Sequence, residues 1–471
     1  MELLIRIVLV FSLLMLMASC SLVPDLNVTT SNDDYIINYD YYNHEIDGNV
    51  EFYSGDDSEV VASKLTSDYL TQLIKATKKN NSEILHYRSK IKELEISYEI
   101  SKLDMLPNFN LSGTASRSKT PESISPLSIE TINNNYGIDV GINNFEIDFW
   151  GKLGNTRKVR LSEYYAEINN KYFVSSNIIY DVISTYFSIV AEHEKVKAYT
   201  KLLNSAKKNL DINKSIHSEK ALSDYELIQS KIIYFETDAQ IKESERSIMR
   251  FINKLEYLTG EVIDPSKIET HINTSEFNSI INIGTAKGVI QRRHDIIASE
   301  YVLIGNNYNI GVARASLLPT INITALSSLT SYKYGDLFSS DSDGWNLGVG
   351  LNIPIFDFGK RSKNVDYNVQ KKSSSYIKYN DIVRNAVTEI NDSLINMSFL
   401  NYFVNENVRK YNLDERRYYY SNLLYKEGVS DYSTVLDSSR DLISSESNYI
   451  NSKLEYVKSY YDLYKNLGGL I

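Results

Sequence analysis

The chain has 471 residues, with 50 basic and 60 acidic side chains, and a formal net charge of -10. This acidic balance argues against a nucleic-acid-binding protein, and the single cysteine excludes a disulfide-rich scaffold. Aromatic residues make up 11%, too many for a disordered chain, and the only long apolar run is at the N-terminus, which excludes a bundle of membrane-spanning helices.

Residues 1–19 are predicted to be a lipoprotein signal peptide, and Cys20 its lipid anchor. The apolar run from Leu3 to Met17, roughly 15 residues, is too short to span a bilayer and fits a signal peptide. The small residues before Cys20 resemble a bacterial lipoprotein processing site, although a cysteine could also lie there by chance. Serine follows the cysteine where aspartate would favour the inner membrane, so we expect the outer membrane. Residues 20–62 are predicted to be an extended, lipid-anchored segment.

A series of short motifs occurs twice along the chain, in the same order. The matched motifs are Leu106–Leu111 with Leu318–Ile323, Tyr136–Gly141 with Trp345–Gly350, Phe149–Lys152 with Asp357–Lys360, Ser223–Tyr225 with Ser430–Tyr432, and Leu258–Gly260 with Leu467–Gly469. We interpret this as an internal tandem repeat of a unit about 208 residues long. The first repeat is predicted to cover residues 63–270 and the second residues 271–471.

Each repeat is predicted to begin with a helix and continue with two strands, near 107–149 and near 319–358. Apolar and polar residues alternate from Tyr136 to Ile142 and from Trp345 to Ile355. A period of two over about ten residues is typical of a strand with one apolar and one polar face. This pattern fits a transmembrane β-barrel strand, and it equally fits a β-sandwich strand with one buried face.

Three further sequence features concern a loop, an aromatic residue of a strand and a run of tyrosines on a helix. The stretches Pro121–Pro126 and Asn133–Asn135 are predicted to form an exposed loop between the first two strands. Trp345, at the start of a strand, is a candidate for an aromatic belt at a membrane interface. The run Tyr418–Tyr420 lies on a predicted helix, where packing between helices is expected.

Very long helices are predicted after each pair of strands. They cover residues 152–259, with a turn near 213–224, and residues 360–467, with a turn near 427–431. Neither glycine nor proline occurs from Asn155 to Thr259 or from Lys360 to Glu427. Apolar residues recur there in steps of three and four, which indicates coiled-coil packing. A helix of roughly 60 residues is about 90 Å long, so we expect an elongated molecule.

Four strands per chain are too few to close a barrel. Lipid cannot satisfy exposed backbone groups, so the strand edges must pair between copies. Two copies would give eight strands and a filled interior, whereas three would give twelve strands and a water-filled passage. We therefore expect an α+β membrane protein. It would be a homotrimer in which a twelve-stranded transmembrane barrel continues into a periplasmic α-helical coiled-coil barrel.

A second set of motifs spans nearly the whole mature chain. These motifs are Cys20–Asp25, Leu106–Pro107, Glu146–Lys152, Arg293–Ile296, Ile310–Ala315, Pro354–Lys360 and Tyr425–Tyr432. Together they resemble the TolC-like outer-membrane factor family, in the lipoprotein branch that serves RND-type efflux pumps. Leu26 stands where that branch usually has tyrosine, and His294 where the family usually has proline. The resemblance implies a homotrimeric channel with a barrel in the outer membrane and a twelve-helix tunnel in the periplasm. Its tip would dock on a periplasmic adaptor of an inner-membrane RND-type pump or another exporter.

The resemblance also points to functional residues at the periplasmic tip. Candidates for docking the adaptor are Ser223, Asp224, Tyr225, Gly428, Ser430, Asp431 and Tyr432. The aspartate ring that constricts the family's channel corresponds by position to Asp437, with Arg440 one turn later. Further gate candidates are Asp224, Asp431 and Ser433, the last at a position where the family has an apolar ring.

Each gate candidate has an ordinary alternative. Three carboxylates around a narrow axis would attract cations, and Arg440 could tie Asp437 into an inter-helix pair that breaks on opening. Asp437 could instead be a solvated charge of the coiled coil. Asp224 and Asp431 could instead be helix N-caps.

No catalytic motif, cofactor site or metal site is predicted. The six histidines are scattered, no glycine-rich phosphate loop occurs, and Glu192–Glu194 is expected to be a surface charge cluster. We therefore expect a passive outer-membrane channel of a tripartite efflux system rather than an enzyme, in contact with membrane lipid and not with nucleic acid. The alternative is a lipid-anchored coiled-coil adhesin or scaffold, which would need no lipid-facing strands and would not conduct ions. A lipid-anchored enzyme is a third alternative.

Overall fold

A computed structural model describes residues 22–26, 67–124, 130–274, 288 and 290–469. Cys20, the signal peptide and most of the predicted extended segment lie outside the described residues. The chain divides into two compact units. We call the described parts of 1–28, 90–167 and 299–379 the strand unit, and the described parts of 29–89, 168–298 and 380–471 the helical unit.

Most described residues are helical. In chain order the elements are α1 (Asp68–Asn80), α2 (Ser82–Leu103), β1 (Phe109–Thr120), β2 (Thr131–Ile147), α3 (Lys152–Ser218), α4 (Asp224–Thr259), α5 (His294–Ala315), β3 (Thr320–Ser331), β4 (Asp343–Asn352), α6 (Lys360–Lys426) and α7 (Tyr432–Asn466). Helices α3 and α6 have 67 residues each. At 1.5 Å per residue each is about 100 Å long, as the absence of helix breakers allows.

The four strands form one antiparallel sheet in the order β1-β2-β3-β4. Its register brings the apolar residues of neighbouring strands together: Leu111 pairs with Val140, and Ile323 pairs with Val349. A bulge in β2 between Ile142 and Phe145 preserves this arrangement. Because side chains alternate along a strand, the extra residue moves Phe145 to the same face as Ile142. One apolar face therefore runs across all four strands.

The apolar face of this sheet is uncovered. On β4, Leu347 is 69% exposed and Val349 is 73% exposed, and Phe109 and Leu111 of β1 are also exposed. Strands β1 and β4 are the two edges, and each has a single neighbour within the described sheet. An exposed apolar face of this size marks an interaction surface. A sandwich strand would have this face buried.

The predicted loop between β1 and β2 is wrong in part. Asn133, Asn134 and Asn135 belong to β2 and pair with Ser118, Arg117 and Ser116 of β1. Asparagine favours turns because its side chain bonds to nearby backbone groups, but here the partner strand satisfies the backbone. The turn begins at Pro121 and is over by Thr131, and residues 125–129 within it lie outside the described part.

The helical unit has two apolar cores. The first contains residues of α1, α3 and α7, among them Leu70, Val182, Tyr186 and Val457. Within the described residues, α3 is the one helix long and apolar enough to cross a membrane, but most of the stretch concerned is buried. Core packing therefore accounts for its apolar character.

The second core of the helical unit lies nearer the turn between α3 and α4 and the turn between α6 and α7. It joins Leu202 of α3, Ile233 of α4, Tyr418 of α6 and Leu436 of α7. Of the tyrosine run, only Tyr418 packs in this core, while Tyr419 and Tyr420 are exposed. The expectation of inter-helix packing therefore holds for one tyrosine of the three.

Candidate functional site

The turn between α3 and α4 is closed by local hydrogen bonds. Lys220 has a positive φ of 58°, and the backbone bonds around it form a Schellman motif that ends α3. Ser223 then caps α4 in a capping box with Glu226. Asp224, a candidate N-cap, is the next residue, and its Oδ1 lies 2.7 Å from Nε2 of His217. This contact, which the sequence did not suggest, links the two helix ends.

The turn between α6 and α7 follows the same plan with different residues. Gly428, with φ of 71°, occupies the left-handed position of the Schellman motif, and Val429 follows it. Asp431 is the N-cap residue of α7, but its side chain makes no capping hydrogen bond. The N-cap residues are therefore Ser223 for α4 and Asp431 for α7. The repeated motifs had instead matched Ser223 with Ser430, one residue before Asp431.

The docking candidates differ in whether a partner could reach them. Tyr225 and Asp224 are exposed, and so is Val429, which was not among the candidates. Tyr432 is fully buried, with its ring 4.9 Å from the ring of Tyr425 in a T-shaped contact. Burial raises the pKa of the Tyr432 phenol. Tyr432 thus supports the turn from inside and is not placed to contact an adaptor.

Of the remaining docking candidates, Ser223, Gly428 and Asp431 are exposed and Ser430 is half-buried. Ser430 Oγ is buried, with no hydrogen-bond partner among the described residues. Together with Val429, the exposed docking candidates of the two turns are therefore Ser223, Asp224, Tyr225, Gly428 and Asp431.

The structure pairs Arg440 with a residue other than Asp437. Arg440 donates to Glu236 of α4, from Nε over 3.1 Å and from Nη2 over 2.8 Å. This bonding raises the pKa of Arg440, and the nearby charge of Asp437 adds to the shift. Asp437 itself is exposed on α7, and Ser433 is half-buried. Within one chain, Arg440 therefore forms a bidentate bridge from α7 to α4, and the expected inter-helix pair of Asp437 with Arg440 stays a prediction.

A second ion pair holds the other side of α7. Arg417 of α6 donates to Asp441 of α7. We call the pairs Arg440–Glu236 and Arg417–Asp441 the α7 latches, because they join α7 to α4 and to α6. Both connect residues far apart in sequence, which is why spacing along one helix could not indicate them.

The expected surface charge cluster at Glu192–Glu194 is half-buried. Glu192 pairs with Lys195 at 2.6 Å, and Glu194 pairs with Lys453 of α7, which is only 2% exposed. His271 Nδ1 also lies 3.1 Å from Glu194. The expectation was wrong because this part of α3 faces α7. Across the described part of the chain, no three His, Cys, Asp or Glu side chains are placed to hold a metal ion.

Glu446 of α7 is a half-buried carboxyl group in the same region. Burial, followed by the charges of Glu415 and Glu194, raises its pKa to about 7, while Lys201 and a hydrogen bond from Tyr411 act in the opposite direction. The folded chain therefore binds this proton more tightly than the unfolded chain does. Its contribution to stability is complete below about pH 4.5 and is lost as the pH rises through about 7.

We expect Glu446→Gln to remove this pH dependence. Between pH 5 and pH 8 the free energy of unfolding should fall by up to about 3 kcal/mol more in the natural chain than in Glu446→Gln. Thermal unfolding of the purified protein at both pH values measures the difference. Glu455→Gln, a change of an exposed carboxylate on the same helix, is the control and should behave like the natural chain. Equal pH dependence in all three proteins would contradict the prediction.

Comparison with known proteins gives a family match and several relatives. The family model for outer membrane efflux proteins matches residues 73–218 and 286–469. The chain is 26% identical over 402 residues to the solvent efflux pump outer membrane protein SrpC of Pseudomonas putida, covering 85% of each chain. It is 24% identical over 399 residues to the cation efflux system protein CusC of Escherichia coli O157:H7, covering 84% of this chain and 85% of CusC.

The fold is also similar to solved structures. The crystal structure of the CmeC outer membrane channel of Campylobacter jejuni aligns with a TM-score of 0.82 at 22% identity, covering 96% of this chain and 95% of that one. The likeness extends over the strand sheet and the long helices together, which is the architecture described above.

Proposed function

Since the chain belongs to the outer membrane efflux protein family, we propose that three copies form one outer-membrane channel that conducts substrate passively out of the periplasm. The observation that carries this proposal is the four-stranded sheet with two open edges and an uncovered apolar face. Pairing β1 of one copy with β4 of the next would satisfy both edges. Three copies would then close a barrel of twelve strands.

The strands have the length, and the apolar and polar faces, that a transmembrane barrel requires. β1 has 12 residues and β4 has 10, and a tilted transmembrane strand needs about 9 to 11, so both are long enough to span a bilayer. The apolar face would lie against lipid. The opposite face carries Asn110, Asp139 and Asn346 and would line the lumen. A barrel of twelve strands is wide enough for a water-filled passage.

We further propose that the chain is a tandem duplication, with repeats over 63–270 and 271–471. Helices α3 and α6 have equal length, and α4 and α7 have 36 and 35 residues. Asp148 and Asp357 each accept two backbone N–H groups at the start of these long helices. Four long helices per chain would give a twelve-helix periplasmic tunnel in the trimer.

The proposed partners follow from the relatives, which are an outer membrane protein of a solvent efflux pump and a protein of a cation efflux system. We place a periplasmic adaptor on the turn between α3 and α4 and the turn between α6 and α7, with the first residues of α4, and an inner-membrane pump of the RND type or another exporter beneath it. The exposed Asp224, Tyr225 and Val429 are the contact candidates. Cys20 is the proposed lipid anchor, and the latched α7 with Asp437 is the proposed gate.

The test is made on the purified, detergent-solubilised protein. We expect a particle with the mass of three chains, which inserts into planar bilayers and gives discrete single-channel currents. A monomeric particle, or a trimer that never conducts even when the α7 latches are removed, would favour the adhesin or scaffold instead. Deletion of the gene should also sensitise cells to the pump's substrates.

A further inference from the structure

The two edge strands carry opposite charges on the apolar face of the sheet. Arg117 and Lys119 lie at even spacings from Leu111 on β1, and Asp343 lies four residues before Leu347 on β4. Alternate residues of a strand share a face, so these charged side chains lie on the face of Leu111 and Leu347. All three charged residues are exposed. One open edge is therefore positive and the other negative.

The charges lie at the end of the sheet that the two turns close. The other end of each strand continues into a long helix. Trp345, two residues after Asp343 on the same face, is 81% exposed. An outward charge at the end of a transmembrane strand lies near the membrane surface, where it is tolerated, and aromatic rings collect at the same level. These charges are therefore compatible with a face that contacts lipid.

The charges are only partly satisfied within one chain. Lys119 pairs with Glu130, just before β2, at 2.7 Å. Arg117 and Asp343 have no ion-pair partner in the part of the chain that the structure describes. In one copy the two edges are three strand spacings apart, at least about 14 Å, so Asp343 cannot reach either cation of its own chain.

Two conditions fix how β4 can pair with β1 of a second copy. First, all ten residues of β4 need a partner among the twelve residues of β1, because lipid satisfies no free backbone group. Sliding one strand along the other leaves three such positions. Second, the apolar faces must coincide, and a shift by one residue would turn one face over. Only one antiparallel position meets both conditions, and it sets Asp343 opposite Lys119.

We propose that β4 of one copy pairs with β1 of the next in this single register, and that the charged residues and Trp345 join the copies at the outer end of the seam. Asp343 then faces Lys119, which has three N–H donors and can serve Glu130 as well. Trp345 faces Arg117, whose guanidinium can lie over the indole ring. The inference rests on the proposed trimer and adds the register and the residues that hold it.

The polar face of the seam accepts the same register. Small residues meet there in every pair of a glycine with a hydroxyl side chain: Gly344 with Ser118, Gly348 with Thr114 and Gly350 with Ser112. Asn346 faces Ser116 in the middle of the seam. No pair on this face brings like charges together, which would be destabilising. Both faces of the seam are therefore compatible with the position that the backbone requires.

Disulfide cross-linking in the outer membrane tests the register. Asn346→Cys is combined with Ser116→Cys, so that the two thiols stand directly opposite each other across the seam. Opposite Cα atoms of an antiparallel pair are about 4.5 to 5.5 Å apart, within the range of a disulfide. Within one chain the two positions are too far apart to bond. We expect covalent dimers and trimers on a non-reducing gel.

Thr114→Cys and Ser118→Cys, each combined with Asn346→Cys, are the matched controls. They lie on the same face of β1, two residues to either side of the predicted partner. Such diagonal neighbours are about 7 to 8 Å apart, so both controls should cross-link at least about tenfold less. Stronger cross-linking by a control would overturn the register. If that protein is still trimeric and conducts, the channel stands, whereas a monomer without cross-links in any variant removes both proposals.

Charge reversal tests the contact between Asp343 and Lys119. Asp343→Lys places like charges opposite each other in three seams and should lower the ratio of heat-resistant trimer to monomer by about tenfold. Adding Lys119→Asp exchanges the partners and should restore the trimer. Asp341→Lys changes an exposed acid of the preceding turn, outside β4, and should assemble normally. Failure of the exchange to restore the trimer would overturn the contact.

Discussion

Replacing Leu347 by arginine is expected to remove the protein from the outer membrane, because it places a charge in the middle of the apolar face of β4. Leu347 is the fifth of the ten residues in β4 and pairs with Ala325. An arginine on the lipid face near the bilayer midplane costs about 2 to 4 kcal/mol. A trimer would carry three, so the total of about 6 to 12 kcal/mol is comparable to the whole stability of a domain.

The matched control is the neighbouring residue of the same strand. Asn346 is exposed on the opposite face, which would line the lumen. Asn346→Arg should therefore insert normally and alter only the ion selectivity of the channel. Heat-resistant trimer in outer-membrane fractions is the measurement. If both variants insert equally well, the apolar face does not contact lipid and the barrel proposal fails.

The features that sequence reasoning found are those with a local physical cause. The alternation that begins at Trp345 marks β4, which ends at Asn352 rather than at Ile355, because side chains on a strand point to opposite faces in turn. The helices α3 and α6 were visible because an unbroken helix needs only the absence of glycine and proline.

The features that sequence reasoning missed depend on distant partners. Asn133 lies in β2 because β1 supplies its backbone partners, which a turn propensity cannot show. Arg440 reaches Glu236 of α4, and Glu194 pairs with Lys453 of α7; neither contact follows from spacing along one helix. The contact of Leu22 and Pro24 with α5 was hidden for the same reason. Gly311 lay within a quoted motif, but its role depends on Val23, far along the chain.

The second large effect is expected at the α7 latch formed by Arg440 and Glu236. If opening the tip moves α7 away from α4, this pair must break in every copy. An exposed ion pair contributes about 0.2 to 1 kcal/mol, so three copies contribute about 1.5 kcal/mol, which is about tenfold in the ratio of open to closed channels. Glu236→Gln and Arg440→Ala should each raise the leak conductance in planar bilayers by about this factor.

Two further variants test whether the Arg440–Glu236 latch, and not a ring of Asp437 carboxylates, keeps the channel closed. Exchanging the partners, Glu236→Arg with Arg440→Glu, keeps the pair and should restore the closed channel. Glu245→Gln removes an exposed ion pair within α4 alone and should change nothing. A constriction made by Asp437 alone would give the opposite pattern, in which Asp437→Ala raises the leak and the latch variants do not. The latch effect should also shrink at high salt, because exposed charges are screened, whereas a steric constriction would not respond.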